Sequence, residues 1–215
     1  MAKININRHI WNIISRDIAI QKCLSAGIVN NRALAKHLIE KYSLSFSLDG
    51  VLSAVRRYAV EEEFEEHTKE IEKALQNMVV LTKNNIAAIK LRSDAFTNIA
   101  NDFLTKLTLK HNFRMVKTKE IIKIMVNQKD LDKKKAAFDK EYFIGVKENL
   151  CEIRIMLEKD ATHLRGFLSR LSSELALHSV NIEAIIIAIP EILIYVEEDD
   201  LVTAQKCLMD LRSKK

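Results

Sequence analysis

The chain is poor in Gly and Pro: four and one in 215 residues. That scarcity excludes a loop-rich all-β design, and 48% hydrophobic residues exclude a disordered chain. So few glycines leave no GxGxxG and no GxxxxGK[ST], so neither a dinucleotide nor a P-loop phosphate cradle is written here. The three Cys (Cys23, Cys151, Cys207) are odd in number, far apart and set in apolar patterns. They read as reduced core thiols of a cytoplasmic protein, not disulfides or zinc ligands. Six His show no i,i+4 pairing, and neither GxSxG nor HExxH occurs. No apolar run reaches the length of a membrane span; the longest, Ala184–Ile189, is strand-length. The opening MAKININRHIW has no apolar core of a secretory signal. The expectation is a chain that does no chemistry of its own, holds no cofactor or metal, and stays in the cytoplasm away from membranes.

What is present is a half-chain echo. Phe96, Ile99, Ala100, Phe103 and Leu107 have helical spacing, and adding 68 gives Leu164, Phe167, Leu168, Leu171 and Leu175. Ala87, Ile89 and Leu91 meet Ile153, Ile155 and Leu157 at an offset of 66. Ile122, Ile124, Val126, Asp130 and Leu131 meet Ile192, Ile194, Val196, Asp200 and Leu201 at an offset of 70. Each copy reads strand, helix, strand pair, helix. In the first copy these are Ile86–Leu91, helix 95–110, strands 113–118 and 121–126, and a helix 131–138. In the second they are Leu150–Leu157, helix 162–178, a hairpin of 180–188 with 192–197 turning near Pro190, and a last helix 200–211. The fourth strand of a ferredoxin-like unit is not written after the second copy. Tyr142–Val146 is a candidate for the first copy, and Met78–Leu81 or a partner's strand for the second.

The front of the chain is helical. Ile10, Ile13, Ile14, Ile18 and Cys23 or Leu24 lie near one face of a helix over 6–25, which Gly27 stops. Asn30 or Asn31 caps a second helix, Arg32–Tyr42, and Ser47 or Asp49 caps a third. Residues 61–74, EEEFEEHTKEIEKA, have few core positions and read as a charged helix or linker. The expected fold is therefore α+β: an N-terminal all-α, helix-turn-helix-like bundle followed by two ferredoxin-like βαββα repeats. The expected domains are 1–60 (bundle), 61–76 (acidic helical linker), 77–148 (degenerate first repeat) and 149–215 (second repeat).

The net charge is +5, with the excess in residues 75–145, which hold 14 basic and 7 acidic residues. It reads as a solvated Lys-rich surface or as a contact for a polyanion, and the scatter of the lysines favours the first. Residues 1–58 hold 9 basic and 3 acidic residues, compatible with a polyanion partner for the bundle.

The stretch GFLSRLSSELALHSVNIEAIIIAIPEILIYVEEDDLVTAQKCL (Gly166–Leu208) resembles an ACT domain, the amino-acid-sensing module of metabolic enzymes. It is most similar to the final unit of aspartate kinases. The matching positions are Gly166 at the helix start, Val180, Asn181 and Ile182 at the second strand, Glu198–Asp200 in an acidic turn, and Ala204 in the last helix. The first copy departs from the pattern: Asn98 takes the Gly place and Phe113–Met115 replaces Val-Asn-Ile. The stretches AGIVNNRALAKHLIEKY and VLSAVRRY are similar to the front of uncharacterised archaeal proteins that join a helix-turn-helix region to paired ACT units.

The resemblance implies a ligand crevice near the first strand-to-helix loop of the second copy. Thr162, Arg165, Gly166 and Phe167, with Asn181 and Ile182 on the facing strand, form the implied ligand-binding set for an amino acid. Backbone N–H groups at a helix start receive a carboxylate, and a Gly there admits close approach. Arg165 stands where such loops often carry Pro; it pairs with a ligand carboxylate or points to solvent. Arg32, Lys36, Arg56 and Arg57 are the candidate DNA phosphate contacts on the second and third helices. The expected protein is a non-catalytic regulator that senses a metabolite, or dimerises through the edge strands of its ACT-like modules, with DNA as the bundle's partner. A non-catalytic interaction subunit, or an allosteric subunit of amino-acid metabolism, is the alternative.

Overall fold

A computed structural model describes residues 5–58, 62–96, 114–158 and 164–213, with the backbone alone at 62–68. The chain divides into two compact units, Met1–Lys69 and Glu70–Lys215. Among the described residues no helix is long and apolar enough to cross a membrane.

Residues 5–58 of the first unit hold four short helices: α1 (Ile6–Ile14), α2 (Ile18–Ser25), α3 (Asn31–Tyr42) and α4 (Leu48–Arg56). The single helix expected over 6–25 is two. Asp17 breaks it, because its carboxylate accepts from the N–H groups of Ala19 and Ile20, both at 3.1 Å, and starts α2 afresh. Gly27, at φ 68, then ends α2: its N–H reaches Leu24 O and the N–H of Ile28 reaches Cys23 O. Asn30 caps α3 and Ser47 caps α4. Ile10, Ile14, Leu38, Val51 and Val55 form the core of this unit, each worth about 1.5–3 kcal/mol of burial. Trp11 Nε1 donates to Ala54 O at 2.9 Å and ties α1 to α4.

The second unit is built on one six-stranded antiparallel sheet. Its strands are β1 (Val79–Arg92), β2 (Arg114–Lys117), β3 (Ile121–Asn127), β4 (Phe143–Met156), β5 (Ala184–Ala188) and β6 (Glu191–Glu197), in the order β2-β3-β1-β4-β6-β5. The order reads the same from either edge: a hairpin, then a long strand. Tyr142–Val146 and Leu150–Leu157 are not separate strands; Phe143–Met156 runs as one, 14 residues long. β1 is equally long and takes in Val79–Leu81. Val79–Lys83 pairs with Met156–Glu152, so the fourth-strand place of the second copy, on the side of β4 away from its hairpin, is filled from within the chain. Val180–Glu183 is not strand: the N–H of Val180 still bonds Leu175 O at the end of the preceding helix, and β5 begins only at Ala184.

The strand equivalence is 64 rather than 66. Buried runs cover Ile86–Ile89 and Leu150–Ile153, with Leu91 and Ile155 buried two places further on. A bulge explains the alternation within β1. Val80 packs against one helix-side cluster and Ala87, Ile89 and Leu91 belong to another, although 80 and 87 differ in parity. The irregularity between Lys83 and Ile86 absorbs the odd residue and keeps the apolar positions on one face.

Among the described residues the sheet is accompanied by α5 (Glu62–Asn77), whose second half belongs to this unit, α6 (Leu131–Lys135), α7 (Phe167–Leu177) and α8 (Leu201–Ser213). α5 carries more core positions than its acidic sequence promised. Ala74 and Leu75, with Met78 just past its end, are buried among Ile153, Leu171, Leu175, Ile194 and Leu208. Most of the expected helix 95–110 lies outside the described residues; Ser93–Ala95 is a 3₁₀ turn.

The other sheet face holds Ile86, Ala88, Met125, Leu150, Leu193 and Tyr195, all buried. Lys123 Nζ of β3 donates to Glu183 O, just before β5, at 2.9 Å. A flat sheet would separate those strands by about 19 Å, four strand spacings. The sheet therefore curls over this face and encloses it.

Candidate functional site

α7 starts at Gly166, whose φ of 85 and ψ of −4 place it in the left-handed region. Leu164 O accepts from the N–H of Phe167 at 3.3 Å, and Gly166 O from that of Arg170 at 2.9 Å. No side chain caps this helix at Gly166. A Cβ on Gly166 would sit 3.6 Å from Ile71 Cδ1, an ordinary contact. The glycine is thus required by backbone angle rather than by lack of room. Phe167 is buried and Ile182 half-buried in the same core cluster, so the structure brings these two together. Arg165 and Asn181 are exposed. Asn181 is engaged locally: its Nδ2 donates to Glu183 Oε1 at 2.8 Å and its N–H to Asp200 Oδ2 at 3.3 Å. Thr162 lies outside the described residues.

In the first unit Arg32 and Lys36 are exposed one turn apart on α3. Arg56 is the last residue of α4 and Arg57 its C-cap, both exposed. Arg32 and Lys36, four apart, share a surface of α3, whereas the adjacent Arg56 and Arg57 point to different sides of the end of α4.

A polar cluster on the enclosed sheet face was not anticipated. Tyr195, fully buried, donates from its hydroxyl to Glu152 Oε2 at 2.7 Å. Arg154 Nη2 donates to Glu152 Oε1 at 3.0 Å, and Arg114 Nη2 of β2 lies 3.9 Å from the same oxygen. Burial, then the hydrogen bond to the Glu152 carboxylate, push the Tyr195 phenol well above its ordinary range. Nearby, Lys147 Nζ pairs with Glu183 at 2.8 Å and Glu197 at 2.6 Å, and these bonds raise its pKa. Burial lowers that of Lys123, helped by the charges of Lys90 and Lys147. The alternation Cys151-Glu152-Ile153-Arg154-Ile155 reads as a strand with one solvated face; only the curl of the sheet buries its charged positions.

Among the described residues no group of His, Cys, Asp and Glu is placed to hold a metal ion. The three cysteines are free thiols.

No protein-family model matches the chain, and no curated protein matches it by sequence. Solved structures do match the fold. A C-terminal regulatory domain of aspartate kinase from Porphyromonas gingivalis aligns with 64% of this chain and 98% of its own, at 16% identity and a TM-score of 0.51. A structure of aspartokinase α and β subunits aligns with 63% of this chain and 97% of its own, at 12% identity and a TM-score of 0.52. The aspartate kinase of Clostridium acetobutylicum aligns over 61% of this chain at 13% identity and a TM-score of 0.50, and the match spans 34% of that enzyme. This chain has the ACT-like fold of aspartate kinase regulatory domains. The match runs through a regulatory domain taken alone as well as through a third of a whole kinase, so the fold is that of the regulatory part.

Proposed function

We propose that the chain is a non-catalytic regulatory protein with two ACT-like modules, the second of which senses a small amino acid, coupled to a helix-turn-helix bundle that contacts DNA. Gly166 carries the sensing reading. It supplies a left-handed residue at an uncapped helix start within an ACT-like fold, where first-turn N–H groups receive a carboxylate. Arg165 and Asn181 flank the crevice, and Asn181 exchanges Glu183 for the ligand. The two-module reading is supported by the sheet order and by the matching bulges of β1 and β4. The DNA reading is supported by the exposed Arg32, Lys36, Arg56 and Arg57 in a unit whose first 58 residues are net basic.

Thermal unfolding across the twenty amino acids tests the sensor. At least one should raise Tm saturably, and a flat response to all of them removes the reading. Gel shifts with genomic fragments across a salt series test the bundle. The variant Arg56→Glu/Arg57→Glu should lose binding, and unchanged affinity rejects those contacts.

A second reading, assembly through an edge strand, rests on β5. This edge strand is AIIIA, without a charge to blunt it, and Ile185 and Ile187 are 36% and 47% exposed. Light scattering should show a homodimer that Ile187→Lys dissociates. A monomeric unaltered chain contradicts this reading.

A further inference from the structure

The two halves of the sheet carry the same junction with opposite charge. Lys83, Asn84 and Asn85 form the bulge of β1, and adding 64 gives Lys147, Glu148 and Asn149 at the bulge of β4. Asn127 ends β3 and Gln128 and Lys129 open the 3₁₀ turn after it; adding 70 gives Glu197 at the end of β6 and Glu198 and Asp199 in the 3₁₀ turn that follows. In the second half Lys147 is neutralised by Glu197 at 2.6 Å and Glu183 at 2.8 Å. In the first half the place of Glu197 is taken by Asn127. No ion pair to Lys83 or Lys129 is found among the described residues.

These six first-half residues line a cleft of about 490 Å³ that contains no carboxylate. Its wall is fixed. Gln128 Nε2 donates to Asn149 Oδ1 at 2.9 Å, and the N–H of Asn149 returns to Gln128 Oε1 at 2.8 Å. Gln128 is thereby spent on the scaffold, whereas Lys83, Lys129, Asn84, Asn85 and Asn127 make up the rest of the lining. The β1–β4 register passes from Lys83 to Ile86, and β3 ends opposite Ile86, so the bulge projects past the end of β3. The size suits a small ligand. A donor set of two cations with neutral amides suits a compact dianion through charge-assisted hydrogen bonds.

We propose that this cleft binds a small dianion, a dicarboxylate or a phosphate, with Lys83 and Lys129 as the charged contacts and Asn127 as the position that keeps the site open. It shares no residue with the Gly166 turn and is a separate site from the amino-acid crevice.

Calorimetric titration of the full chain with succinate, and separately with inorganic phosphate, both at low ionic strength, tests it. One or both should bind saturably at one per chain, and the tighter of the two identifies carboxylate or phosphate as the preferred group. Lys83→Gln and Lys129→Gln should each weaken binding about tenfold. Asn127→Glu copies the arrangement that Glu197 makes with Lys147, so it should keep the unfolding temperature and abolish binding. The absence of saturable heat with either titrant overturns the proposal. So does unchanged affinity in Asn127→Glu or Lys83→Gln. Failure here leaves the amino-acid screen untouched, because titrants and variants differ.

Discussion

Asn85 and Asn149 hold the same left-handed backbone, at φ 57 and φ 56, in matching bulges of the two central strands. Asn tolerates this region better than other residues with a Cβ, and Gly better still. Asn85→Gly should therefore leave stability nearly unchanged, whereas Asn85→Val should cost about 1–2 kcal/mol. Asn149→Val should cost more, because it also removes an acceptor for Gln128. Urea unfolding reads the three values; equal losses for Val and Gly would contradict the bulge account.

The Tyr195–Glu152 pair predicts a pH dependence. The phenol's folded pKa lies above its ordinary value of 10.0, so the folded state keeps a proton that the unfolded chain releases. The stabilisation is complete below about pH 10 and is lost above it, at up to about 1.4 kcal/mol per pH unit. Tyr195→Phe should remove that part of the slope. At neutral pH it should cost about 1–3 kcal/mol, because Glu152 Oε2 is left without this donor. Denaturant unfolding between about pH 8 and pH 11 compares the two chains, and identical slopes would count against it.

Thiol reactivity separates core from surface. Cys151 and Cys207 are 0% and 1% exposed, and burial raises both thiols. Cys23 is half-buried. A thiol reagent should modify Cys23 in the native protein and the other two only as the chain unfolds. Rapid native labelling of Cys151 would contradict its place in the core.

Helix α2 depends on its cap. Asp17→Ala removes the acceptor for Ala19 and Ile20 and should cost about 1 kcal/mol. Asp17→Asn and Asp17→Ser should retain most of it. Thermal unfolding followed by circular dichroism measures the differences.

The sequence carried the hairpins well. Ile122, Ile124 and Val126 and their counterparts Ile192, Ile194 and Val196 alternate cleanly, because each hairpin strand turns one face to the helices. The central strands were less legible. A bulge shifts the parity of β1, and Tyr142–Val146 looked detached because exposed residues separate it from Leu150. The break at Asp17 was hidden by an apolar pattern that continues through it in register. Gly166 was singled out by the ACT resemblance and not by local pattern: the apolar spacing suggested a helix from 162, and the helix begins only at Phe167. Glu152, Tyr195 and the Lys83 cleft were not singled out: Glu152 and Tyr195 face each other on neighbouring strands but are 43 positions apart in sequence, and the cleft joins the bulge of β1 to the end of β3, so no local pattern marks either.

One amino-acid site per chain is expected, in the second module, since the first has Asn98 where the second has Gly166. The direct measurement is the calorimetric stoichiometry of the amino acid that raises Tm, taken in Asn127→Glu so that the Lys83 cleft stays silent. The account predicts one ligand per chain. A stoichiometry of two, or no saturable binding of any amino acid, would contradict it.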